Sequence, residues 1–193
     1  MDKKIFVIAL IVIIIGSFLY FNITGNSIKM EDIVVIETNK GNIEVKLDRS
    51  RAPVTVDNFL KYADERFYDG TIFHRVIAGF MIQGGGLTSD GKEKQTHEPI
   101  ILESNNGIKN KKFTIAMART NVPDSATSQF FINTADNDFL DYSQTNQGYA
   151  VFGKVISGQD VVLEIENIKT GEKGYYEDWP VENIIIKRIY RKK

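Results

Sequence analysis

Short β-rich runs recur along almost the whole chain, separated by glycine, asparagine and proline, and only two segments carry helical spacing. Many short strands mean many unpaired edges, and closing a sheet on itself removes them. The pattern therefore predicts a mainly β domain, a closed antiparallel barrel with two helices plugging its open ends. "DIVVIETNKGNIEVKLD" (32–48) holds two strands around Asn39-Lys40-Gly41, a hairpin signal. "RAPVTVDNFLKYADERF" (51–67) reads as a helix, with Pro53 suited to the first helical position and Val56, Phe59, Leu60 and Ala63 at helical spacing. Further strands are expected around 72–76, 80–83, 112–118, 129–133, 150–156 and 183–190, and a second helix in "GQDVVLEIENI" (158–168). Segment 84–111 reads as a long polar loop, either wrapping the barrel or shaping specificity, with wrapping preferred.

The amino terminus is of another kind. Ile5 to Ile15 is unbroken apolar sequence, and no charged residue falls between Lys4 and Lys29. Crossing a bilayer takes about 20 residues, so this stretch is long enough. Lys3 and Lys4 precede it, which predicts a cytoplasmic amino end and an exported domain. "GSFLYFNITGNS" (16–27) offers no clear A-x-A-like cleavage site. An uncleaved transmembrane or signal-anchor helix is therefore preferred to a cleaved signal, which would release the domain outside the cell. Residues 1–30 are expected to be anchor and linker, and 31–193 a single domain held at the cell membrane outside the cytoplasm.

Charge and composition narrow the partners and the chemistry. The 24 basic and 25 acidic residues give a formal net charge of −1, so nothing favours nucleic acid. The basic end "KRIYRKK" (187–193) reads as a solvated terminus, and nothing suggests a dimer, so a monomer is expected. There is no cysteine, which excludes disulfides, a thiol nucleophile and thiolate metal sites. His74 and His97 do not sit at metal-ligand spacing, and His74 reads as a core histidine. Gly84-Gly85-Gly86 lacks the Lys-Ser or Lys-Thr that would make a phosphate loop, and no GxSxG elbow exposes Ser125 or Ser128. Asp136 and Asp138 lie in a polar turn, "TADNDFLD" (134–141). No metal and no cofactor is expected.

What remains is non-covalent. In "FHRVIAGFMIQGGG" (73–86), Arg75 stands in an otherwise apolar run with no acidic residue to pair with. A guanidinium cannot shed its proton, and burying it unpaired is very costly. Arg75 should therefore stand at a surface groove with apolar walls, held by a neutral partner such as Gln83. Phe80, Met81, Phe130, Phe131, Phe139 and Leu140 are available as walls or as barrel core.

"FHRVIAGFMIQGG", "IAMARTNVPDSATSQFFIN", "NDFLD" and "YAVFGKVISGQDVV" resemble the signature blocks of cyclophilins, the peptidyl-prolyl cis–trans isomerases, and the prokaryotic branch above all. With the helix at 51–67 the resemblance covers about 33–190. It implies an eight-stranded barrel capped by two helices, with a groove for proline-containing polypeptides on its outer face. It implies that Arg75 is the key catalytic residue and that Gln83 holds its side chain. Phe80, Met81, Phe131 and Leu140 would form the proline pocket, and Gln129 with the backbone around Ala118, Arg119 and Thr120 would bind substrate main chain. Phe139 and Tyr149 occupy substrate-binding positions where eukaryotic members usually place tryptophan and histidine, and losing the indole donor puts strong cyclosporin inhibition in doubt. Arg119 replaces a eukaryotic asparagine, a change expected to matter little if only its main chain binds. The activity so implied is prolyl isomerisation that assists folding of exported proteins; the alternative is a proline-segment binding module with incidental turnover.

Overall fold

The computed structural model describes residues 32–192. The expected anchor and linker at 1–30 and the final residue of the basic end lie outside them. In chain order the elements are β1 (Ile33–Thr38), β2 (Asn42–Leu47), α1 (Pro53–Asp64), β3 (Thr71–Ile77), β4 (Met81–Thr88), β5 (Thr114–Met117) and β6 (Phe130–Asn133). A short 3-10 turn (Asp138–Leu140) follows, then β7 (Val151–Ser157), α2 (Gln159–Glu166), β8 (Thr170–Lys173), β9 (Tyr176–Pro180) and β10 (Ile184–Arg191). Eight strands close a barrel in the order β1-β10-β3-β4-β6-β5-β7-β2, every neighbouring pair antiparallel. Among the described residues no helix is long and apolar enough to cross a membrane.

Alternation decides which side chains fill the interior. In β2, Ile43, Val45 and Leu47 point inward while Asn42, Glu44 and Lys46 do not. They join Val34, Ile36, Ile82, Ile115, Phe130, Ile132 and Phe152 in one core. Helix α1 adds Val56, Phe59 and Leu60 to it, and α2 adds Val162 and Ile165. The Phe59 ring lies 5.2–5.4 Å from those of Tyr68, Phe130 and Phe152. Burying a side chain of that size fully contributes about 1.5–3 kcal/mol.

Two features depart from the sequence expectation. First, β4 continues through the three glycines to Thr88, so the segment expected to be loop from 84 begins as strand. The reason is close approach: a Cβ on Gly84 would stand 2.6 Å from the Ile72 carbonyl oxygen, and one on Gly86 2.5 Å from Cγ of Gln129. The glycines mark crowding in the sheet, not its end. Second, "TGEKGYYEDWP" (170–180) folds as a separate hairpin, β8–β9, that the sequence reading left unassigned.

The loop beyond Thr88 wraps the barrel through polar tethers. Helix α1 has no side-chain cap of its own at Ala52; the Glu103 carboxylate accepts instead from the Val54 and Thr55 N–H groups, at 3.1 and 2.8 Å. His97 N–H donates to the Tyr62 hydroxyl at 2.9 Å, and Asn106 Nδ2 to the Val151 carbonyl at 2.8 Å.

Gly85 has φ of +84° and its missing Cβ would lie 2.8 Å from the Phe130 ring. We therefore expect Gly85→Ala to lower the stability by about 1–3 kcal/mol from backbone strain, read as a lower urea midpoint; an unchanged midpoint would show that the ring can yield.

Candidate active site

The register of five neighbouring strands assembles the site. Arg75 on β3 lies opposite Gln83 on β4. Gln83 in turn faces Phe131 on β6, Phe131 faces Ala116 on β5, and Ala116 faces Val151 on β7. Directly opposed residues share a face of a sheet, so these five form one row. That face is the outer one, because the alternating neighbours Val76, Ile82, Ile132, Ile115 and Phe152 fill the interior. On it Met81, Ala116, Phe131, Leu140 and Val151 make a second apolar cluster, with Phe80, Ala118 and Tyr149 packed against it.

A groove of about 360 Å³ opens along this face, within the range of small-ligand sites. Arg75, Phe80, Met81, Gln83, Ala118, Arg119, Gln129, Phe131, Leu140 and Tyr149 all line it. Thr120 and Phe139 do not. Phe139 is 66% exposed and rests against Phe80 from outside, ring centroids 5.5 Å apart. The Phe131 and Tyr149 rings meet edge to face at 5.6 Å.

Three details differ from the sequence expectation. Gln83 does not hold Arg75; its Nε2 donates to Gln129 Oε1 at 2.9 Å. The group that meets the guanidinium is the Asp178 carboxylate, Oδ2 to Nε at 3.5 Å, with the two side chains 44% and 36% exposed. Asp178 belongs to a hairpin more than a hundred residues further on, so no local pattern announces the pair. Along the main chain, Ala118 N–H donates to the Gln129 carbonyl and Thr120 N–H to Ser125 Oγ, both at 3.0 Å, so those two donors serve the protein itself. The Arg119 side chain is also no bystander. Its guanidinium lies 4.6 Å above the Tyr149 ring, and its Nε donates to the Gly148 carbonyl at 3.0 Å.

A buried polar network behind the groove fixes the walls. Asn133 Nδ2 donates to Thr114 Oγ1, Asn137 Nδ2 to Asn133 Oδ1 and to the Phe80 carbonyl, at 2.9, 2.7 and 2.9 Å. Asn110 donates from its backbone to Asp141 Oδ1 and from Nδ2 to the Leu140 carbonyl, at 2.7 and 3.1 Å. Phe80 and Leu140 thus hang from a lattice of amides that the sequence scatters over a loop, a strand end and a turn. The sequence reading also missed Leu87, Glu93 and Tyr176, which line the groove on the hairpin side. For Tyr176 a signal existed in "KGYYEDWP", a glycine turn beside aromatic residues. Among the described residues no three His, Asp or Glu side chains gather as metal ligands.

His74 is 3% exposed and lies between β3 and the hairpin, its ring centroid 6.0 Å from Tyr176 and 6.2 Å from Trp179. Burial, then the positive charge of Arg75, lowers its pKa from 6.5 to about 4, against a weaker opposing pull from the Ile72 backbone.

A cleft with apolar walls on the outside of a closed β-barrel, edged by the guanidinium groups of Arg75 and Arg119 and the amides of Gln83 and Gln129, defines a site suited to binding peptide without covalent chemistry. The model of the cyclophilin type peptidyl-prolyl cis-trans isomerase/CLD family matches residues 33–191. Peptidyl-prolyl cis-trans isomerase A of Dickeya dadantii is 54% identical over 79% of this chain and 80% of its own length. Peptidyl-prolyl cis-trans isomerase B of Escherichia coli is 52% identical over 81% of this chain and 98% of its own. A cyclophilin type isomerase of Cryptosporidium parvum, solved in the presence of the dipeptide Ala-Pro, superposes with a TM-score of 0.69 at 30% identity, covering 83% of this chain and 99% of that one. The chain belongs to the cyclophilin-type peptidyl-prolyl cis–trans isomerases, and its activity is the interconversion of X–Pro bonds.

The histidine beneath the groove has a consequence for stability. Its folded pKa lies below the unfolded one, so between pH 7 and 5 the unfolded chain binds more protons and stability falls as pH falls. We expect a contribution of about 2 kcal/mol lost by pH 5, seen as a melting temperature that drops less steeply with acid in His74→Phe. Parallel curves for the two proteins would contradict the burial argument.

Proposed function

We propose that Arg75 performs the isomerisation by donating hydrogen bonds to the proline nitrogen as the X–Pro bond twists, while the apolar walls hold the ring. Amide resonance sets a barrier of about 18–20 kcal/mol, and the cis and trans forms lie within roughly 1 kcal/mol, so only the barrier needs lowering. At the twisted geometry resonance is broken and the nitrogen regains a basic lone pair. A donor aimed there binds the twisted state more strongly than either planar one, which is what catalysis requires. The guanidinium suits this role because it is always charged and carries five N–H donors in a rigid fork. Phe80, Met81, Phe131 and Leu140 exclude water beside it and strengthen the bond. Gln83 occupies Oε1 of Gln129, which leaves the Gln129 amide N–H groups for a substrate carbonyl. With Ala118 and Thr120 N–H engaged internally, the Arg119 N–H is the donor of that stretch offered to substrate main chain. The observation that carries the reading is a partly exposed guanidinium in one register row, through Gln83, with Phe131, the most buried of the phenylalanine and tyrosine rings lining the groove.

The substrates we infer are proline-containing polypeptides outside the cytoplasm, with residues 1–30 holding the monomeric enzyme to the membrane and the activity assisting folding of exported proteins. The support lies in the apolar run Ile5–Ile15 behind Lys3 and Lys4. Cell fractionation tests it: the full-length protein should pellet with membranes in high salt and be accessible to protease only from outside, whereas recovery in the cytosol would refute the tether.

For the chemistry, the rate of cis-to-trans relaxation of an Ala-Pro peptide is the measurement. Arg75→Ala should lower kcat/KM roughly 100- to 1,000-fold, the cost of removing one well-placed donor, with an unchanged melting temperature because exposed ion pairs contribute little. Phe131→Ala should raise KM by a smaller loss than the about 3–5 kcal/mol of a packed core. Peptide binding without any acceleration by the parent protein would leave a proline-binding module instead.

A further inference from the structure

We infer that Asp178, on the β8–β9 hairpin, is a positioning residue for Arg75, an inference that rests on the reading of Arg75 as the acting group. The arginine stem is long and freely rotating, and Gln83, its neighbour in register, is turned to Gln129. Among the described residues, the Asp178 carboxylate is the group that meets the guanidinium, and it does so at Nε. Contact there restrains the stem of a side chain that lines the groove.

The hairpin is built to hold that carboxylate still. Gly171 pairs with Trp179 while Lys173 pairs with Tyr176, so β9 carries one residue more than β8 between these pairs, in the stretch Glu177–Asp178. Such a bulge re-aims side chains. Trp179, next in the chain, is 4% exposed and packs on Ile72 and Leu87. Tyr176 stands 5.3 Å from the Trp179 ring, and both reach His74, the residue before Arg75. Lys173 lies 4.2 Å above the indole and donates to the Ser89 carbonyl at 2.8 Å, tying the hairpin to the end of β4. The hairpin that carries Asp178 is thus anchored to the strand that carries Arg75 and to the strand that faces it. The pair is too exposed to matter for stability. It matters for placement, since small misplacements of a catalytic group are expensive in rate.

The experiment measures kcat and KM separately on the purified protein for Asp178→Asn and Asp178→Glu, each in the parent and the Arg75→Ala backgrounds. Asp178→Asn should lower kcat about tenfold, short of the ~100-fold that a full 1 Å misplacement can cost, with KM within about twofold and the melting temperature unchanged. Asp178→Glu should recover part of the loss, and in Arg75→Ala the Asn change should cost nothing further, because the two act as one unit. An unchanged kcat, a gain in kcat/KM that makes the carboxylate a competitor, or an equal loss in the Arg75→Ala background would each overturn the inference. Retained activity of Arg75→Ala alone would instead sink the reading beneath it. Should Asp178→Asn fail to fold, salt decides: screening of an exposed pair should lower the parent kcat as ionic strength rises, and a flat profile overturns the proposal.

Discussion

Closure of the antiparallel ladder is the constraint from which the rest follows. Once β2 pairs with both β1 and β7, no strand edge is left in the barrel, and the interior is filled by strand side chains together with those of α1 and α2. A full interior leaves no room for a ligand, so a binding site must be built on the outer face. There the hydrogen-bonded register dictates which side chains stand abreast. Arg75, Gln83, Phe131, Ala116 and Val151 come from five strands, and sliding any of those strands by one residue would send its member into the core. The site inherits the rigidity of the ladder, which suits the proposed mechanism, in which a donor and a hydrophobic wall act in fixed relation.

The glycines of β4 connect that ladder to the groove. Gly84 lets the β3 backbone approach, and Gly86 makes room for the side chain of Gln129. Gln129 in turn receives the amide of Gln83, whose place in the row is set by the same strand. One short stretch therefore serves the closing of the sheet and the placing of two polar groups, and it could not do so with any side chain at those positions.

Much of this was legible in the sequence because strand periodicity and turn residues are local signals. All eight barrel strands and both helices fall where alternation, Pro53 and Asn39-Lys40-Gly41 put them, within a few residues except at the carboxyl end of β4. There a strand with no side chains to alternate cannot be told from a loop. Ten of the twelve residues expected at the site line one groove, and the resemblance to a known family supplied that grouping where spacing alone left Phe131 and Leu140 equally plausible as core. What stayed hidden was non-local. Tyr176 and Glu93 reach the groove, and Asp178 the Arg75 guanidinium, through tertiary packing, and the amides of Asn110, Asn133 and Asn137 show their role only once their partners are known.

The electrostatic setting of Arg75 balances two opposing demands. Burying the guanidinium completely would cost far more than one exposed-type ion pair could return. Leaving it wholly in water would screen its bond to a substrate nitrogen and let the stem wander. The structure gives this side chain a mixed environment: it lines a groove that Phe131 and Met81 also line, and it meets the Asp178 carboxylate while staying 44% exposed. The apolar side works only if it does not yield, and here the buried amides matter. Phe80 and Leu140 are suspended from backbone carbonyls that Asn137 and Asn110 hold, so the wall is fixed by hydrogen bonds whose alternative is an unsatisfied polar group in the interior. A guanidinium restrained by the Asp178 carboxylate, beside a wall fixed by buried amides, is the arrangement that the proposed donation to a twisting proline nitrogen requires.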